Sequence, residues 1–299
     1  MKRREFLSMA GAWMAGNVVP SPRSLAPSPQ FFERWSWAMG QAVHVMVFAE
    51  SEDAGLEACA TALAELRRVE SRLSLFDDAS DVCELNRRAG RRAMRMDRDL
   101  RAVLTAAEEF RKHTRGAFNG AVEPLMRTWG FHRPRASSPT SAEIAEAREA
   151  VHAAIVRLDG DTALLLGAHT QLDFGGIGVG YGIDRMIAVL QKAGIRRAFV
   201  DVSGDMYGLG TPLGEPRGWR VDIAGTTRSA YLRNRALSTS SNLVSIVRLG
   251  RRIFGHIMDP ETGWPVDSTQ QMTVMAQTAI AADALSTAAL VEGHVPANV

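Results

Sequence analysis

The spacing of apolar residues changes near residue 162, and this change limits the folds open to the chain. Before it, apolar side chains recur at helical spacing in residues 53–73 and 97–113, which predicts two amphipathic helices. After it, short apolar runs typical of strands stand between glycine-rich turns. Helices and strands that do not alternate strictly predict an α+β fold rather than a sheet of parallel strands.

Several shorter segments carry their own start and stop signals. Thr140 and Glu143 have the spacing of a capping box and predict the start of a third helix. Gly194 ends a helical pattern that carries Ile183, Met186, Ile187 and Leu190 on one face, as a C-terminal glycine does. Strands are predicted at residues 42–48, 163–166, 198–202, 219–224, 253–257 and 272–276, and a last helix at 279–291. No repeat or linker divides residues 31–299, so we predict one domain, with mixed sheets packed against helices in one body or two lobes.

The charge balance excludes one class of partner. With 35 basic and 33 acidic residues, the formal net charge is +2, too small for the broad cationic surface that neutralises a nucleic-acid backbone. We therefore expect no nucleic-acid partner. A hydrophobic content of 46% is enough for a sizeable core and predicts an ordinary globular protein.

The first 30 residues resemble an export signal. A basic head with paired arginines, Arg3 and Arg4, precedes an apolar run over residues 6–19 and a spacer rich in Pro and Ser. The pair is similar to a twin-arginine signal, which a receptor reads as an address, and the apolar run is shorter than the roughly 20 residues that span a bilayer. We therefore predict export to the periplasm, and an uncleaved signal would keep the protein at the inner membrane. A first helix of the mature fold is the other interpretation.

A glycine-rich segment, LDFGGIGVGYGID at residues 172–184, leads from a strand pattern into a helix pattern. Glycines let a backbone approach a ligand, and a helix start offers free amides to an anion, so the segment is a candidate phosphate cradle. The dinucleotide-binding spacing fails at Ile183, where a third glycine is required, and no Lys followed by Ser or Thr completes a Walker-type loop. A tight strand-to-helix turn without a ligand is the alternative.

Two motifs near the C-terminus carry groups suited to metal binding and proton transfer. Asp283 and Thr287 share one helix face, and their oxygens suit Mg²⁺, which takes its other ligands from waters or substrate phosphates. A surface or capping pair has the same spacing. His256 and Asp259 meet at a turn stiffened by Pro260, where either side chain is a candidate for proton transfer. A hydrogen-bonded structural histidine is the alternative for His256.

Six segments together resemble the ApbE-type flavin transferases, the FAD:protein FMN transferases. The segment at 173–184 is similar to the family's D-x-G-G-I-A-K-G-Y-x-x-D pattern, and 256–263 to H-I-I-D-P-x-T-G. The other four are 80–86 (S-x-I-x-x-L-N), 114–131 (T-x-G-A-F-D through W-G-F), 202–205 (G-G-D) and 282–287 (A-D-A-x-x-T). All six occur in the family's order over residues 39–293, which chance does not explain.

The resemblance implies an α+β enzyme that uses Mg²⁺ to split the diphosphate of FAD. The FMN half would be joined by a phosphoester bond to a threonine of an acceptor flavoprotein, with release of AMP; an acceptor in the inner membrane would hold the enzyme there. Asp283, Thr287 and the Gly176 carbonyl are implied as the Mg²⁺ ligands, and the base is left open between His256 and Asp259. The residues implied for the FAD site are Met39, Phe76, Ala117, Phe118, Asn119, Asp173, Val179 and Ile257.

The chain departs from the family pattern at several of these positions. Val179 stands where the pattern has a lysine, and valine supplies neither charge nor a hydrogen-bond donor. Asn119 replaces an aspartate and Ser203 a glycine, and residues 240–242, SSN, replace T-S-G. Two alternatives follow: a member of the family that binds FAD without transferring it, and an FAD pyrophosphatase that gives free FMN and AMP.

Overall fold

Seven helices and thirteen strands form between residues 29 and 295, the part of the chain that the computed structural model describes. The helices are α1 (Glu52–Leu73), α2 (Asp81–Arg87), α3 (Arg98–His113), α4 (Glu123–Trp129), α5 (Ser141–His152), α6 (Gly178–Lys192) and α7 (Ala279–Glu292). The strands are β1 (Gln30–Ala38), β2 (Gln41–Ala49), β3 (Met94–Arg95), β4 (Val156–Asp159), β5 (Thr162–Leu165), β6 (Ala198–Val202), β7 (Asp205–Leu209), β8 (Trp219–Asp222), β9 (Ser229–Leu232), β10 (Arg235–Ser241), β11 (Ile246–Leu249), β12 (Arg252–Gly255) and β13 (Gln271–Ala276). This mixture of helices with antiparallel sheets confirms the predicted α+β class.

Six strands form one antiparallel sheet in the order β1, β2, β6, β7, β10, β13. In β2, Val43, Val45 and Val47 are buried and alternate with more exposed side chains, because successive side chains of a strand point to opposite faces. Helices α1 and α6 pack on the buried face, where Leu66 and Met186 have no exposed surface. This first core fixes α1 and α6 against the sheet.

Two further cores hold the segments that carry the remaining motifs. The second core joins α3, the segment before α6 and α7 through Leu104, Phe174 and Ala284. The third core joins α4 and α5 to the turn after β12, and there the buried Trp129 donates a hydrogen bond from Nε1 to the Gly263 carbonyl at 2.9 Å. The turn that follows His256 is therefore tied to α4.

Helices α6 and α7 approach each other closely at Gly180. A Cβ added to Gly180 would lie 2.3 Å from the Ala279 carbonyl oxygen and 2.8 Å from the Asp283 Cβ, so only glycine fits. The Asp184 carboxylate, one turn further along α6, accepts hydrogen bonds from Ala279 N at 2.8 Å and Ile280 N at 3.0 Å. Helix α6 thus supplies a cap for the free amides at the start of α7.

The long periodic elements agree with the sequence prediction, and the differences have local causes. The capping box at Thr140 forms as predicted, and α1, α3, α6 and α7 lie within a few residues of their predicted bounds. Strand β1 was not predicted, because its outward side chains include Phe31, Trp35 and Trp37, which hide the polar alternation. The predicted strand at 253–257 ends at Gly255, because Ile257 N turns away to donate to Asn242 Oδ1 at 2.9 Å.

The predicted export signal at residues 1–30 lies almost wholly outside the described residues and stays a prediction. Within residues 29–295, no helix combines the length and apolarity needed to cross a bilayer.

Replacement of Gly180 by alanine should destabilise the protein. Its Cβ would overlap the backbone of α7, and overpacking of this kind costs about 1–3 kcal/mol, which lowers the melting temperature by about 2–9 °C for a domain of this size. Gly178→Ala is the matched control in the same helix, since its added Cβ would meet nothing closer than 3.8 Å. Thermal unfolding followed by circular dichroism compares the two variants, and equal melting temperatures would contradict the proposed close contact of α6 and α7.

Candidate functional site

A cavity of about 900 Å³ opens where the three cores meet, a volume within the range of small-molecule binding pockets. All but one of the site residues singled out in the sequence line it. They are Met39, Phe76, Ala117, Phe118, Asn119, Asp173, Gly176, Val179, His256, Ile257, Asp283 and Thr287. Segments more than two hundred residues apart in sequence therefore contribute to a single site.

Asp259 is the predicted site residue that does not line the cavity. Its carboxylate accepts hydrogen bonds from Glu261 N at 2.9 Å and from Thr262 Oγ1 at 2.8 Å, which closes the turn before Gly263. The structure thus uses this carboxylate within the turn and leaves His256 facing the cavity.

The predicted metal ligands come together at the contact of α7 with the glycine-rich segment. Asp283 and Thr287 lie on one face of α7, and a Cβ on Gly176 would lie 3.0 Å from Thr287 Oγ1. The Asp283 Oδ2 accepts a hydrogen bond from Gly180 N at 2.9 Å, and Ser240 Oγ lies 3.3 Å from Thr287 Oγ1. The result is a corner in which carboxylate and hydroxyl oxygens lie beside the backbone of Gly176, and such oxygens are donors that Mg²⁺ prefers.

A cation in this corner would stabilise the ionised forms of its buried carboxylates. Burial of Asp283, together with the charges of Asp205 and Asp184, raises the pKa of its carboxyl well above the ordinary value. Burial and the neighbouring Asp201 raise the pKa of Asp205 to about 6. Like charges close together disfavour ionisation, and a divalent cation between these carboxylates would reverse that effect. The residues present therefore fit a magnesium ion.

No lysine or arginine lines the cavity among residues 29–295, whereas four carboxylates do. Those carboxylates belong to Glu70, Asp173, Asp205 and Asp283, and the only side chains in the lining that can carry positive charge are His132 and His256. Val179, at the position of the family's lysine, is almost fully buried and packs in the first core. An anionic ligand would thus depend on a bound metal for most of its charge compensation.

The position of His256 is set by Asn242, at the end of β10. Asn242 Oδ1 accepts from Ile257 N at 2.9 Å, and its Nδ2 donates to the Val266 carbonyl, which clamps the chain on both sides of the turn. Burial lowers the pKa of His256, an effect partly opposed by a hydrogen bond to the Ser245 backbone. Its Nδ1 is buried and has no hydrogen-bond partner among the described residues. A neutral imidazole in this position suits a proton acceptor.

A second polar cluster was missed in the sequence. Glu123, His132 and Asp173 form it: the His132 Nδ1 bonds the Glu123 carboxylate, and its Nε2 lies 3.7 Å from Asp173 Oδ2. Burial opposes a charged His132 ring, but the hydrogen bond to Glu123 and the charge of Asp173 raise its pKa. Burial raises the pKa of Asp173, and the charge of His132 opposes this rise. The one sequence signal for this cluster was the glycine at position 130. It ends α4 in the left-handed conformation, with φ of 93°, and turns the chain back beside that helix.

The glycine-rich segment is anchored from behind by Asn86. Its amide pairs with Leu172, with Nδ2 donating to the carbonyl at 2.9 Å and Oδ1 accepting from the backbone N at 2.7 Å. Asp173 N donates to the Gly120 carbonyl at 2.8 Å, so this residue is fixed beside the loop that carries Asn119. Residues 166–177, which lie between β5 and α6, form neither strand nor helix, so the segment does not follow a strand directly as its pattern predicted. Its role as a phosphate cradle stays a prediction.

Comparison with known proteins adds independent information. A sequence model of the ApbE family matches residues 39–297. The FAD:protein FMN transferase of Treponema pallidum (strain Nichols) is 29% identical over 289 residues, covering 88% of this chain and 79% of its own length. The FAD:protein FMN transferase of Haemophilus influenzae is 27% identical, and the match covers 77% of this chain and 71% of that protein.

Crystal structures of similar proteins share the fold. The apo form of the Pseudomonas stutzeri flavinyl transferase ApbE matches with a TM-score of 0.77 at 27% identity, covering 89% of this chain and 87% of its own. An ApbE protein of Thermotoga maritima MSB8 matches with a TM-score of 0.79 at 26% identity, and the match covers 88% of this chain and 87% of that protein.

Replacement of Asp205 by asparagine should stabilise the metal-free protein at about pH 7.5 and not at about pH 4. The folded state raises the pKa of Asp205 to about 6, so the stability linked to its protonated form is present at acid pH and lost as the pH rises through 6. Asparagine removes that loss of stability, which is worth up to about 3 kcal/mol. Melting temperatures in the presence of a chelator measure the difference, and a gap of equal size at both pH values would rule out this origin.

Proposed function

Because the chain belongs to the ApbE family, we propose that it is a magnesium-dependent FAD:protein FMN transferase. Its substrates are FAD and an acceptor flavoprotein, and its products are AMP and an acceptor that carries FMN on a threonine through a phosphoester bond. The acceptor threonine, the release of AMP and the requirement for Mg²⁺ are parts of the proposal that its tests address.

One observation carries the proposal: the oxygen-rich corner and His256 line the same cavity, which has no lysine or arginine among its described lining residues. A diphosphate carries negative charge that must be compensated when it leaves water. Asp283, Thr287 and the Gly176 carbonyl are the groups that would hold Mg²⁺ against it. When bound, the ion would stabilise the charge that develops on the phosphate and on the departing AMP.

The chemistry is a substitution at one phosphorus atom. The threonine oxygen of the acceptor bonds to the phosphorus on the flavin side of the diphosphate, and the bond from that phosphorus to the bridging oxygen breaks. AMP leaves with the bridging oxygen, and the hydroxyl proton passes to a base. This chain must therefore orient the acceptor hydroxyl in line with the leaving group and provide the base.

His256 is the better candidate for the base. It lines the cavity, and its burial favours the uncharged form of the ring by lowering its pKa, whereas the Asp259 carboxylate is occupied by Glu261 N and Thr262 Oγ1. We assign proton transfer to His256 and the shape of the turn to Asp259.

The N-terminal 30 residues are consistent with a periplasmic site of action. Arg3 and Arg4 in front of a short apolar run support export, and an uncleaved signal or a membrane-bound acceptor would keep the enzyme at the inner membrane.

Incubation with FAD, Mg²⁺ and a panel of acceptor flavoproteins should give an acceptor band that stays fluorescent after denaturation, together with one AMP for each FMN transferred. Asp283→Ala should lower the rate of AMP release at least about a hundredfold, since charge stabilisation by a metal is worth several kcal/mol. Asp222→Ala, at an exposed aspartate outside the cavity, is the matched control and should retain full activity.

The same assay separates the alternatives. Free FMN and AMP without any acceptor would identify a pyrophosphatase. Bound FAD that stays intact with Mg²⁺ and every acceptor would identify a binding protein, the outcome that Val179 and Asn119 suggest. Activity of Asp283→Ala equal to wild type would remove the metal assignment.

His256→Gln should abolish transfer while FAD binding persists, and Asp259→Asn should retain part of the activity. Because burial lowers the pKa of His256, the acid limb of the pH profile of kcat/KM should lie below about pH 6.5, the ordinary value for histidine. Single-turnover rates across pH, with FAD affinity measured separately, test both statements. An acid limb above neutrality, or equal losses in the two variants, would contradict the assignment of the base.

A further inference from the structure

The wall of the cavity near Asp173 contains a second set of possible ligand atoms, separate from the corner at Asp283. His132 and Asp173 line the cavity there, and Glu123 lies behind His132 with only 3% of its surface exposed. Three different segments meet at this place: the start of α4, the loop after Gly130 and the glycine-rich segment. This cluster and the corner at Asp283, Thr287 and Gly176 have no residue in common.

The distance between the two cavity-facing atoms fits a bridging cation better than a hydrogen bond. His132 Nε2 and Asp173 Oδ2 are 3.7 Å apart, beyond the usual range of a hydrogen bond. Two ligands of one tetrahedral transition-metal ion, each about 2.1 Å from it, are about 3.4 Å apart. A shift of a few tenths of an ångström in either side chain is enough to place both at bonding distance.

Asp173 has one oxygen available for such a role. Its side chain is only 10% exposed, and Oδ1 accepts from Gly175 N at 2.7 Å. Oδ2 accepts no hydrogen bond from any residue between 29 and 295, so one carboxylate oxygen of this largely buried side chain is open to the cavity without a protein donor. A cation can therefore reach it without displacing a protein hydrogen bond.

Glu123 gives His132 the orientation that a metal ligand needs. Its carboxylate bonds His132 Nδ1, which directs Nε2 toward Asp173 and the cavity. The other carboxylate oxygen of Glu123 accepts from Arg127 Nη2 at 2.9 Å, so the buried charge of Glu123 is compensated. A carboxylate that holds the far nitrogen of a histidine is the usual outer partner of metal-binding histidines.

We propose that His132 and Asp173 bind a second divalent cation of the transition-metal class, such as Zn²⁺ or Co²⁺, with Glu123 as the outer partner of His132. The imidazole nitrogen disfavours Mg²⁺, which prefers oxygen ligands, and a mixed nitrogen and oxygen set suits the borderline metals. The remaining coordination positions face the cavity and are open to an oxygen of a bound ligand. The second ion would add positive charge to a cavity without lysine or arginine in its described lining. The site does not depend on the proposed transfer reaction.

Full-length protein stripped with a chelator and titrated with Co²⁺, in the presence of excess Mg²⁺ to fill the Asp283 corner, tests the site without FAD. We expect one equivalent of Co²⁺ per chain to give visible d–d absorption with a dissociation constant in the micromolar range or below, and Zn²⁺ to displace it. His132→Gln and Asp173→Asn should each remove the absorption. Glu123→Gln should weaken binding about 10–100-fold.

Asp283→Ala is the matched control and should leave the Co²⁺ absorption unchanged. Asp173→Asn preserves the size of the side chain and its acceptor for Gly175 N, so it keeps the test valid if His132→Gln fails to fold; circular dichroism monitors both variants. Three results would overturn the proposal. The first is Co²⁺ binding that is unchanged in His132→Gln or Glu123→Gln, and the second is its loss in Asp283→Ala. The third is binding only at millimolar concentration, which would indicate an adventitious ion only. These readouts use no substrate, so failure here leaves the proposed transferase function untouched, and the reverse also holds.

Discussion

The close contact of α6 with α7 at Gly180 is the constraint on which the candidate site depends. Without a side chain at this position, the backbone of α6 reaches α7, and its N–H donates to the Asp283 carboxylate. Asp184 caps the start of α7 from the same helix, which fixes the rotation and the height of α7 together. Thr287 then lies against Gly176, and the candidate metal ligands of this corner come from two segments about a hundred residues apart.

Charge explains why the site has this composition. The cavity contains four carboxylates and no guanidinium or ammonium group in its described lining, and burial and neighbouring carboxylates raise the pKa values of Asp205 and Asp283. Such a cavity binds anions poorly on its own. Under the proposed function, divalent cations would make it suitable for a diphosphate, and metal and substrate would then bind cooperatively. Val179 makes this dependence stronger, because no lysine at that position contributes charge of its own.

Sequence patterns predicted those parts of the structure that local interactions determine. The capping box at Thr140 and the apolar face of α1 need only neighbouring residues, and both formed as expected. The motif residues of the site could be grouped because they share a resemblance to one family, and the cavity brings together all of them except Asp259. The pairing of Glu123 with His132 was missed, because the glycine at position 130 indicates a helix end but does not by itself fix the path of the loop that brings His132 back to α4. The use of the Asp259 carboxylate within its own turn likewise follows from the backbone path, which a list of residue types does not contain.

The repulsion between Asp205 and Asp283 has a consequence for the protein outside catalysis. An ion that binds only the folded chain shifts the folding equilibrium in proportion to the logarithm of its free concentration. Binding of the proposed ion would therefore make the susceptibility of this protein to proteolysis vary with the free concentration of divalent cations. Depletion of that ion would shorten the lifetime of the protein, so its abundance would follow the metal content of the compartment.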